Sequence, residues 1–303
     1  MAILPHKYLK FITMTTIKES AKIVSLNELL FPVQIINNPN ETNSEYAKIV
    51  VGQTYDKGEM HLNYCSPRYE LVPNNDIFPN IEAVLKGNNI KYTVTYRHID
   101  HVRFYADYII TDKKYEYSVN GGDKIQPQIS VQHSYNGLTK YVILFGYFRL
   151  ICSNGLVIPL KEMNEFNLSI TGKHTQNIKN SFLMLNQMLV NFSNNAKQIT
   201  HEITKKYEVM ADRYVPNMED RINEVLSATG IIAVDNTKLN TVELITSIVN
   251  KEANDTSLPY GGIVNDWLIY NGINQYIHDE SLNKKIPEKR REIDQKVMEF
   301  MLT

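Results

Sequence analysis

The chain has 303 residues, of which 43% are hydrophobic, and its 32 basic and 33 acidic side chains give a net charge of −1. This length and composition allow one large domain or two smaller ones with a sizeable core, and they exclude global disorder. The neutral balance argues against a protein that holds nucleic acid by bulk charge, but it is compatible with a local basic patch. Cys65 and Cys152 belong to no CxxC pair, which indicates reduced, buried thiols rather than a disulfide framework or a zinc site.

The first half of the chain predicts strands and two short helices. Ser25 is a candidate N-cap for a helix over residues 26–30, and Pro79 precedes a second helix over 80–86 that ends at Gly87. Side chains alternate most clearly over 92–97 and 102–108, which predicts a hairpin linked by residues 98–101. The remaining strands are predicted at 46–55, 68–72, 115–119, 129–133, 141–152 and 167–170.

The pattern changes to a helical period after residue 177. Apolar residues then step by four and three without Gly or Pro, at Ile178, Phe182, Leu185, Leu189, Phe192, Ala196, Ile199 and Ile203. Two interpretations are open, a helix packed along the sheet or later helices, and an oligomerisation seam. The extra apolar residues Leu183, Met184 and Met188 widen the stripe, which favours packing within the fold. Further helices are predicted at 217–228, 241–251, 263–277 and 288–301.

These elements predict an α+β fold. Its N-terminal half is an antiparallel β-sheet with a short helix, followed by a long helix and further C-terminal helices. We expect an N-terminal extension at 1–44, a β-rich domain at 45–172 and a helical region at 173–303 packed on it. No apolar run reaches the roughly 18–20 residues that cross a bilayer, so no membrane association is expected.

The hairpin around residues 91–108 is the best candidate for a binding surface. It carries Lys91, Arg97 and Arg103 among aromatic residues, and from Lys91 to Arg149 there are eight Lys/Arg against five Asp/Glu. Bases stack on aromatic rings and phosphates pair with Arg and Lys, so such a face suits single-stranded nucleic acid. The alternative is an ordinary solvated sheet face with its aromatics turned inward, to which Tyr105 is the exception if it shares a face with Arg97 or Arg103.

Other candidate sites are weaker. His98 and His101 lie three apart in a turn without evident further ligands, so we expect structural histidines and no metal. Lys173 and His174 lie where the long helix begins, and they form either a capping segment or a cradle for a phosphate. No GxGxxG, GxxxxGK[ST], HExxH or GxSxG motif is present, so neither a cofactor nor catalysis is predicted. A hydrolase or nuclease whose site is assembled only in space stays an open alternative.

The segment Arg149-Leu-Ile-Cys-Ser-Asn154 resembles the R-x-x-C-x-N segment of the phage/plasmid-like family catalogued as domain of unknown function 932. Residues 69–78, the turn at 133–137, His174-Thr175 and residues 267–278 resemble further segments of that family in order, over about residues 65–280. The resemblance implies a phage or mobile-element origin and a cytoplasmic setting, that of the host cell if the protein is phage-encoded. It brings no agreed activity, and a link to single-strand annealing proteins is an analogy of fold.

The leading hypothesis is a phage- or plasmid-type protein that binds nucleic acid without catalysis, by binding or annealing single-stranded DNA as a homo-oligomer. The alternative is a structural or interaction protein of a phage, either a virion component or a host-defence modulator. The residues proposed to contact nucleic acid are Lys91, Arg97, Arg103, Tyr105, Arg149, Lys173 and His174.

Overall fold

The computed structural model describes residues 21–41, 46–119, 123–149, 154–156, 169–172, 178–231, 237–279 and 287–303. Antiparallel strands dominate the first half and helices the second, which confirms the predicted α+β class. The strands are β1 (Lys22–Val24), β2 (Val33–Asn37), β3 (Lys48–Thr54), β4 (Gly58–Cys65), β5 (Tyr92–Ile99), β6 (Arg103–Ile110), β7 (Tyr117–Val119), β8 (Asp123–Ser134), β9 (Tyr141–Arg149), β10 (Asn154–Leu156) and β11 (Ser169–Gly172). The helices are α1 (Leu26–Leu29), α2 (Asn74–Gly87), α3 (Ile178–Ala211), α4 (Met218–Ala228), α5 (Thr237–Ala253), α6 (Asp266–His278) and α7 (Pro287–Leu302).

The main sheet has eight strands among the described residues, and its path runs β1-β5-β6-β8-β9-β10. β7 also pairs with β8, and β11 pairs with β9 beside β10. In the turn between β5 and β6, Asp100 and His101 have positive φ angles of 50° and 56°. Two such residues form the type I′ turn, whose twist matches that of a hairpin. The predicted hairpin is therefore confirmed.

One face of the main sheet is buried beneath α2 and α3. Phe78 of α2 meets Tyr96 of β5 edge-on, with ring centroids 5.9 Å apart. On the β9 side, the Phe145 ring lies 4.5 Å from that of Phe192 in α3. Aromatic pairs of this kind add to the stabilisation from burial. α2 and α3 therefore lie on one face of the sheet, and the opposite face makes its contacts with other parts of the molecule.

The residues that form the four-three pattern of α3 pack inside the protein. Phe182 is half-buried, and the following members of the pattern are buried: Leu185, Leu189, Phe192, Ala196, Ile199 and Ile203. The interpretation that this seam packs within the fold is confirmed. Met188 joins the buried side, whereas Leu183 and Met184 are exposed, so the buried stripe is narrower than the sequence predicts.

The predicted strand at residues 68–72 is wrong, because this segment is a loop between β4 and α2. Pro67 and Pro73 bracket it and have no N–H for a strand ladder. Within it, the Tyr69 N–H donates to the Ser66 carbonyl at 3.0 Å in a turn. Tyr69 and Leu71 pack against the core from the loop, which explains an apolar pattern without a strand.

A second antiparallel sheet consists of β2, β3 and β4, of which only β3 was predicted. α1 precedes it and has the predicted cap, because the Ser25 hydroxyl accepts from the Glu28 N–H while the Glu28 carboxylate accepts from the Ser25 N–H. β1 precedes α1 and pairs with β5 of the main sheet. The domain boundaries proposed at residues 44 and 172 stay a prediction.

Candidate nucleic-acid interface

The face of the main sheet opposite α2 and α3 carries most of the predicted hairpin residues. Arg97 of β5 lies directly across from Tyr105 of β6, which in turn lies across from Gln132 of β8. Arg103 shares this face because it is two residues from Tyr105, and side chains alternate along a strand. We call this surface the polar face, and its members on β5, β6 and β8 are Arg97, Arg103, Tyr105, Asp107, Gln128, Ser130 and Gln132.

Hydrogen bonds link the middle of the polar face. Arg97 Nη1 donates to Asp107 Oδ2 at 2.6 Å. The Ser130 hydroxyl and the Gln128 amide donate to Asp107 Oδ1 at 2.6 and 3.0 Å. Burial alone would raise the pKa of Asp107, but Arg97 and the Ser130 hydrogen bond hold that pKa below its ordinary value. Asp107 is therefore an anion that occupies part of the capacity of Arg97 to bind phosphate.

The first turn of α7 lies against one side of the polar face. The Tyr105 hydroxyl donates to Glu288 Oε2 at 2.8 Å, and the Thr139 hydroxyl donates to Glu288 Oε1. Arg291 donates to the Gln132 side-chain oxygen. These contacts leave Tyr105 only 3% exposed, and burial together with the Glu288 charge raises its pKa. Neither Glu288 nor Arg291 was predicted from the sequence.

The structure separates Lys91 and Arg149 from this surface. Lys91 is exposed just before β5, at the end of the hairpin away from its turn, and its backbone N–H donates to Asp112 at 3.2 Å. Arg149 points to the opposite, helix-covered face. Lys173 and His174 lie outside the described residues. The structure thus brings together Arg97, Arg103 and Tyr105 alone among the predicted residues that it describes.

Arg149 belongs to a buried ionic cluster and has no exposed surface. Its Nε donates to Asp123 Oδ2 at 2.7 Å, and its Nη1 donates to Glu252 Oε2 in α5 at 2.8 Å. The Trp267 indole N–H and the Tyr260 hydroxyl also donate to Asp123 Oδ2, at 2.8 and 3.1 Å. The cluster joins the end of β9 to α5 and α6. A buried arginine paired with two carboxylates is typical of a structural ionic cluster, in which the charges compensate one another.

The sequence contained one signal for this cluster. In α5 the buried residues Ile245, Val249 and Ala253 mark the inward stripe, and Glu252 lies on the same side, three residues after Val249. A carboxylate on an inward stripe requires a buried cationic partner. Asp123 carried no comparable signal, because in the sequence it directly follows two glycines and belongs to no periodic pattern.

His98 lies at the end of β5 and His101 in the hairpin turn, and both are buried. Their rings stack with centroids 4.1 Å apart. His98 Nδ1 accepts from the His101 N–H at 3.2 Å, and His101 Nε2 lies 3.1 Å from an oxygen of Asp56. Burial and the neighbouring His101 lower the pKa of His98 to about 4. Among the described residues, no group of three or more His, Cys, Asp or Glu side chains is placed to hold a metal.

The helices in the described part of the chain include none that is long and apolar enough to span a membrane. No curated protein and no solved structure matches the chain. A family model described as a domain of unknown function (DUF932) matches residues 61–258, which is more than half of the sequence. This range contains the motif at Arg149 and most of the other segments that carried the resemblance. The chain therefore belongs to the DUF932 family.

Proposed function

We propose that this chain is a non-catalytic protein that binds single-stranded nucleic acid in phage or plasmid metabolism, with the polar face as its contact surface. The observation that supports this most is the row formed by Arg97, Tyr105 and Gln132 across three neighbouring strands. Arg103 adjoins this row on the sheet but is only 5% exposed, and Arg291 reaches the row from α7. The proposal does not rest on Arg149, which is buried.

The chemistry of this face suits a strand of nucleotides. A guanidinium presents several N–H donors in a plane and binds phosphate oxygens in pairs. The amide of Gln128 and the hydroxyl of Ser130 are groups that hydrogen-bond to the exposed edges of unpaired bases. Since the net charge of the whole chain is −1, the affinity has to come from this local surface.

Two carboxylates compete with a phosphate for these donors. Asp107 is bonded to Arg97, and Glu288 accepts from Tyr105. A bound phosphate has to displace or share these contacts, so we expect modest affinity that falls steeply with salt. Annealing of complementary strands is a further expectation, because a strand held mainly by its phosphates leaves most of its base edges free for pairing.

The test is titration of a fluorescent oligonucleotide at low salt, at roughly 20 mM, where electrostatic binding is strongest. We expect Arg97→Ala/Arg103→Ala to weaken binding about tenfold or more, since both arginines that β5 and β6 contribute to the polar face are lost. Lys57→Ala is the matched control, because it removes an exposed cation from the turn between β3 and β4. Thermal unfolding establishes that each variant is folded. No binding by the wild type at this salt would refute the proposal.

A second candidate is an interaction or structural protein. Leu183, Met184 and Val190 on α3 favour it, because these large apolar side chains are exposed together on one helix. This candidate needs no nucleic acid, and a chain that fails the oligonucleotide test but associates through α3 would support it.

A further inference from the structure

The hydrogen bonds at the middle of the polar face use up the donors of three side chains. Ser130 has a single hydroxyl proton, which it donates to Asp107 Oδ1 at 2.6 Å. The amide nitrogen of Gln128 has two protons, and it donates to Asp107 Oδ1 at 3.0 Å and to the Ser130 oxygen at 2.9 Å. Asp107 is an anion and has no proton to donate. Further hydrogen bonds to these three side chains can therefore only be accepted by them.

The capacity of Asp107 to accept hydrogen bonds is only partly used. A carboxylate has about four acceptor positions, and three donors contact Asp107, namely Ser130 and Gln128 on Oδ1 and Arg97 on Oδ2. Within the described ranges, no other group donates to Oδ2 from the polar face. Asp107 is accessible, with 28% of its side chain exposed, whereas the Gln128 oxygen is buried. Asp107 is therefore the acceptor that a ligand can reach.

Positive charge lies on both sides of this acceptor. Burial would raise the pKa of Asp107, but Arg97 on β5 lowers it, and the charge of Arg291 adds to this effect from α7. Arg291 donates to Gln132, which lies two strands from Arg97, a distance of about 10 Å across the sheet. Guanidinium groups bind the phosphates of a strand. A strand that contacts both arginines passes over Asp107, which lies on the strand between them.

We propose that Asp107 selects bases that carry an exocyclic amino group, so that the polar face binds cytosine-rich single strands more tightly than thymine-rich ones. This inference rests on the proposed function and names the bases that the same site prefers. Cytosine presents its N4 amino group as a donor, whereas thymine presents the O4 carbonyl, an acceptor, at the same position. The amino group donates to the open position of Asp107. The thymine carbonyl meets a carboxylate with no proton between them.

The test is fluorescence anisotropy with labelled oligo-dC and oligo-dT of equal length, at roughly 20 mM salt and about pH 8, where carboxylates are ionised. Both are pyrimidine DNA strands with the same backbone charge and no 2′-hydroxyl, so only the base distinguishes them. We expect the wild type to bind oligo-dC about fivefold more tightly, because the additional hydrogen bond is made to a charged group.

Asp107→Asn keeps the shape of this side chain and adds a donor to it. We expect nearly equal affinities for the two strands, because an amide can pair with the thymine carbonyl as well as with the cytosine amine. Glu288→Gln is the matched control, since it removes another carboxylate from the same face. It should tighten the binding of both strands alike and keep the preference for oligo-dC. Thermal unfolding establishes that each variant is folded.

A chemical change in the oligonucleotide tests the same contact without altering the protein. Two methyl groups on each cytosine N4 remove both donor hydrogens, so this strand should bind no better than oligo-dT. Equal binding of oligo-dC and oligo-dT by the wild type would overturn the inference and leave the proposed function intact. A preference for oligo-dC that survives Asp107→Asn or the methylation would also overturn it. No binding of either strand would instead refute the proposed function, and this inference with it.

Discussion

Burial decides what a charged or titratable side chain does in this fold, as Arg149 illustrates. Its guanidinium has the chemistry of a phosphate ligand, but it lies between Asp123 and Glu252 beneath Trp267. Removing one member of a buried ionic cluster leaves the others without compensation, which typically costs about 3–5 kcal/mol. At this position the residue that carried the family resemblance ties the sheet to the helices.

His98 shows the same principle for a neutral side chain, and it predicts how stability depends on pH. Its pKa is lowered to about 4 from 6.5 by burial and then by the charge of His101 and of Lys22, against the opposing effect of Asp56 and Glu28. Below pH 6.5 the His98 imidazole is protonated in the unfolded chain, whereas in the folded chain it stays neutral down to about pH 4. The contribution of this group to the free energy of unfolding is therefore fully present above pH 6.5 and is lost as the pH falls to about 4. The loss amounts to about 3 kcal/mol.

The measurement is the free energy of unfolding in urea at several values between pH 7 and pH 4. Carboxylates contribute to the slope as well, so the comparison is with His98→Asn, whose side-chain oxygen keeps an acceptor for the His101 N–H. We expect this variant to depend less on pH over that range. An NMR titration that places the His98 midpoint at or above 6.5 would contradict the prediction.

At the scale of elements, α5 and α6 approach closely at Gly272. A Cβ atom added at Gly272 would lie 2.6 Å from Val249 Cγ2, closer than real carbon atoms approach. We expect Gly272→Ala to destabilise the protein by about 1–3 kcal/mol, because overpacking outweighs the better helix propensity of Ala. Urea unfolding measures the loss.

Val249→Ala provides the control for this contact. It removes the methyl groups that a Cβ at Gly272 would strike, although it leaves a small cavity of its own. We expect the double variant to lose at least about 1 kcal/mol less than the sum of the two single losses, as for residues in direct contact. Additive losses would show that the close approach at Gly272 is not what limits packing between α5 and α6.

Elements with a regular pattern could be predicted from the sequence, and those set by distant contacts could not. The alternation over residues 92–108 and the spacing in α3 carry their own period, so β5, β6 and α3 were predicted. α2 was predicted to start after Pro79, but it starts at Asn74 and has Pro79 inside it. Asn74 is held by the Leu29 carbonyl and the Tyr135 hydroxyl, contacts that no local pattern contains.

The candidate interface divides in the same way. Alternation along one strand placed Arg103 and Tyr105 on a common face, and the hairpin register added Arg97. Two features could not be predicted from the sequence. One is that Arg149 points to the helix-covered face, and the other is that α7 packs on the polar face. Glu288 is 183 residues from its partner Tyr105, so only the complete fold reveals that a carboxylate lies on the predicted surface.

At the scale of the whole molecule, a nearly neutral chain can bind a polyanion only through its local balance of charge. On the polar face, Arg97, Arg103 and Arg291 stand against Asp107 and Glu288. We expect Glu288→Gln to tighten oligonucleotide binding by about tenfold, or ~1.4 kcal/mol, because it removes an anion that competes for Tyr105 without removing a cation. Fluorescence anisotropy at several salt concentrations measures this change.

The salt dependence separates this effect from a general change in charge. Arg97 and Arg291 are the half-buried arginines of this surface, and two contacts with phosphates of a single strand predict a slope of about −1.4 for the logarithm of affinity against that of salt. Glu288→Gln should leave the slope unchanged, since the number of cations is the same. Glu299→Gln makes an identical charge change at an exposed residue near the other end of α7, and it should alter affinity little. If both variants tighten binding equally, net charge governs the interaction and the polar face is not the contact surface.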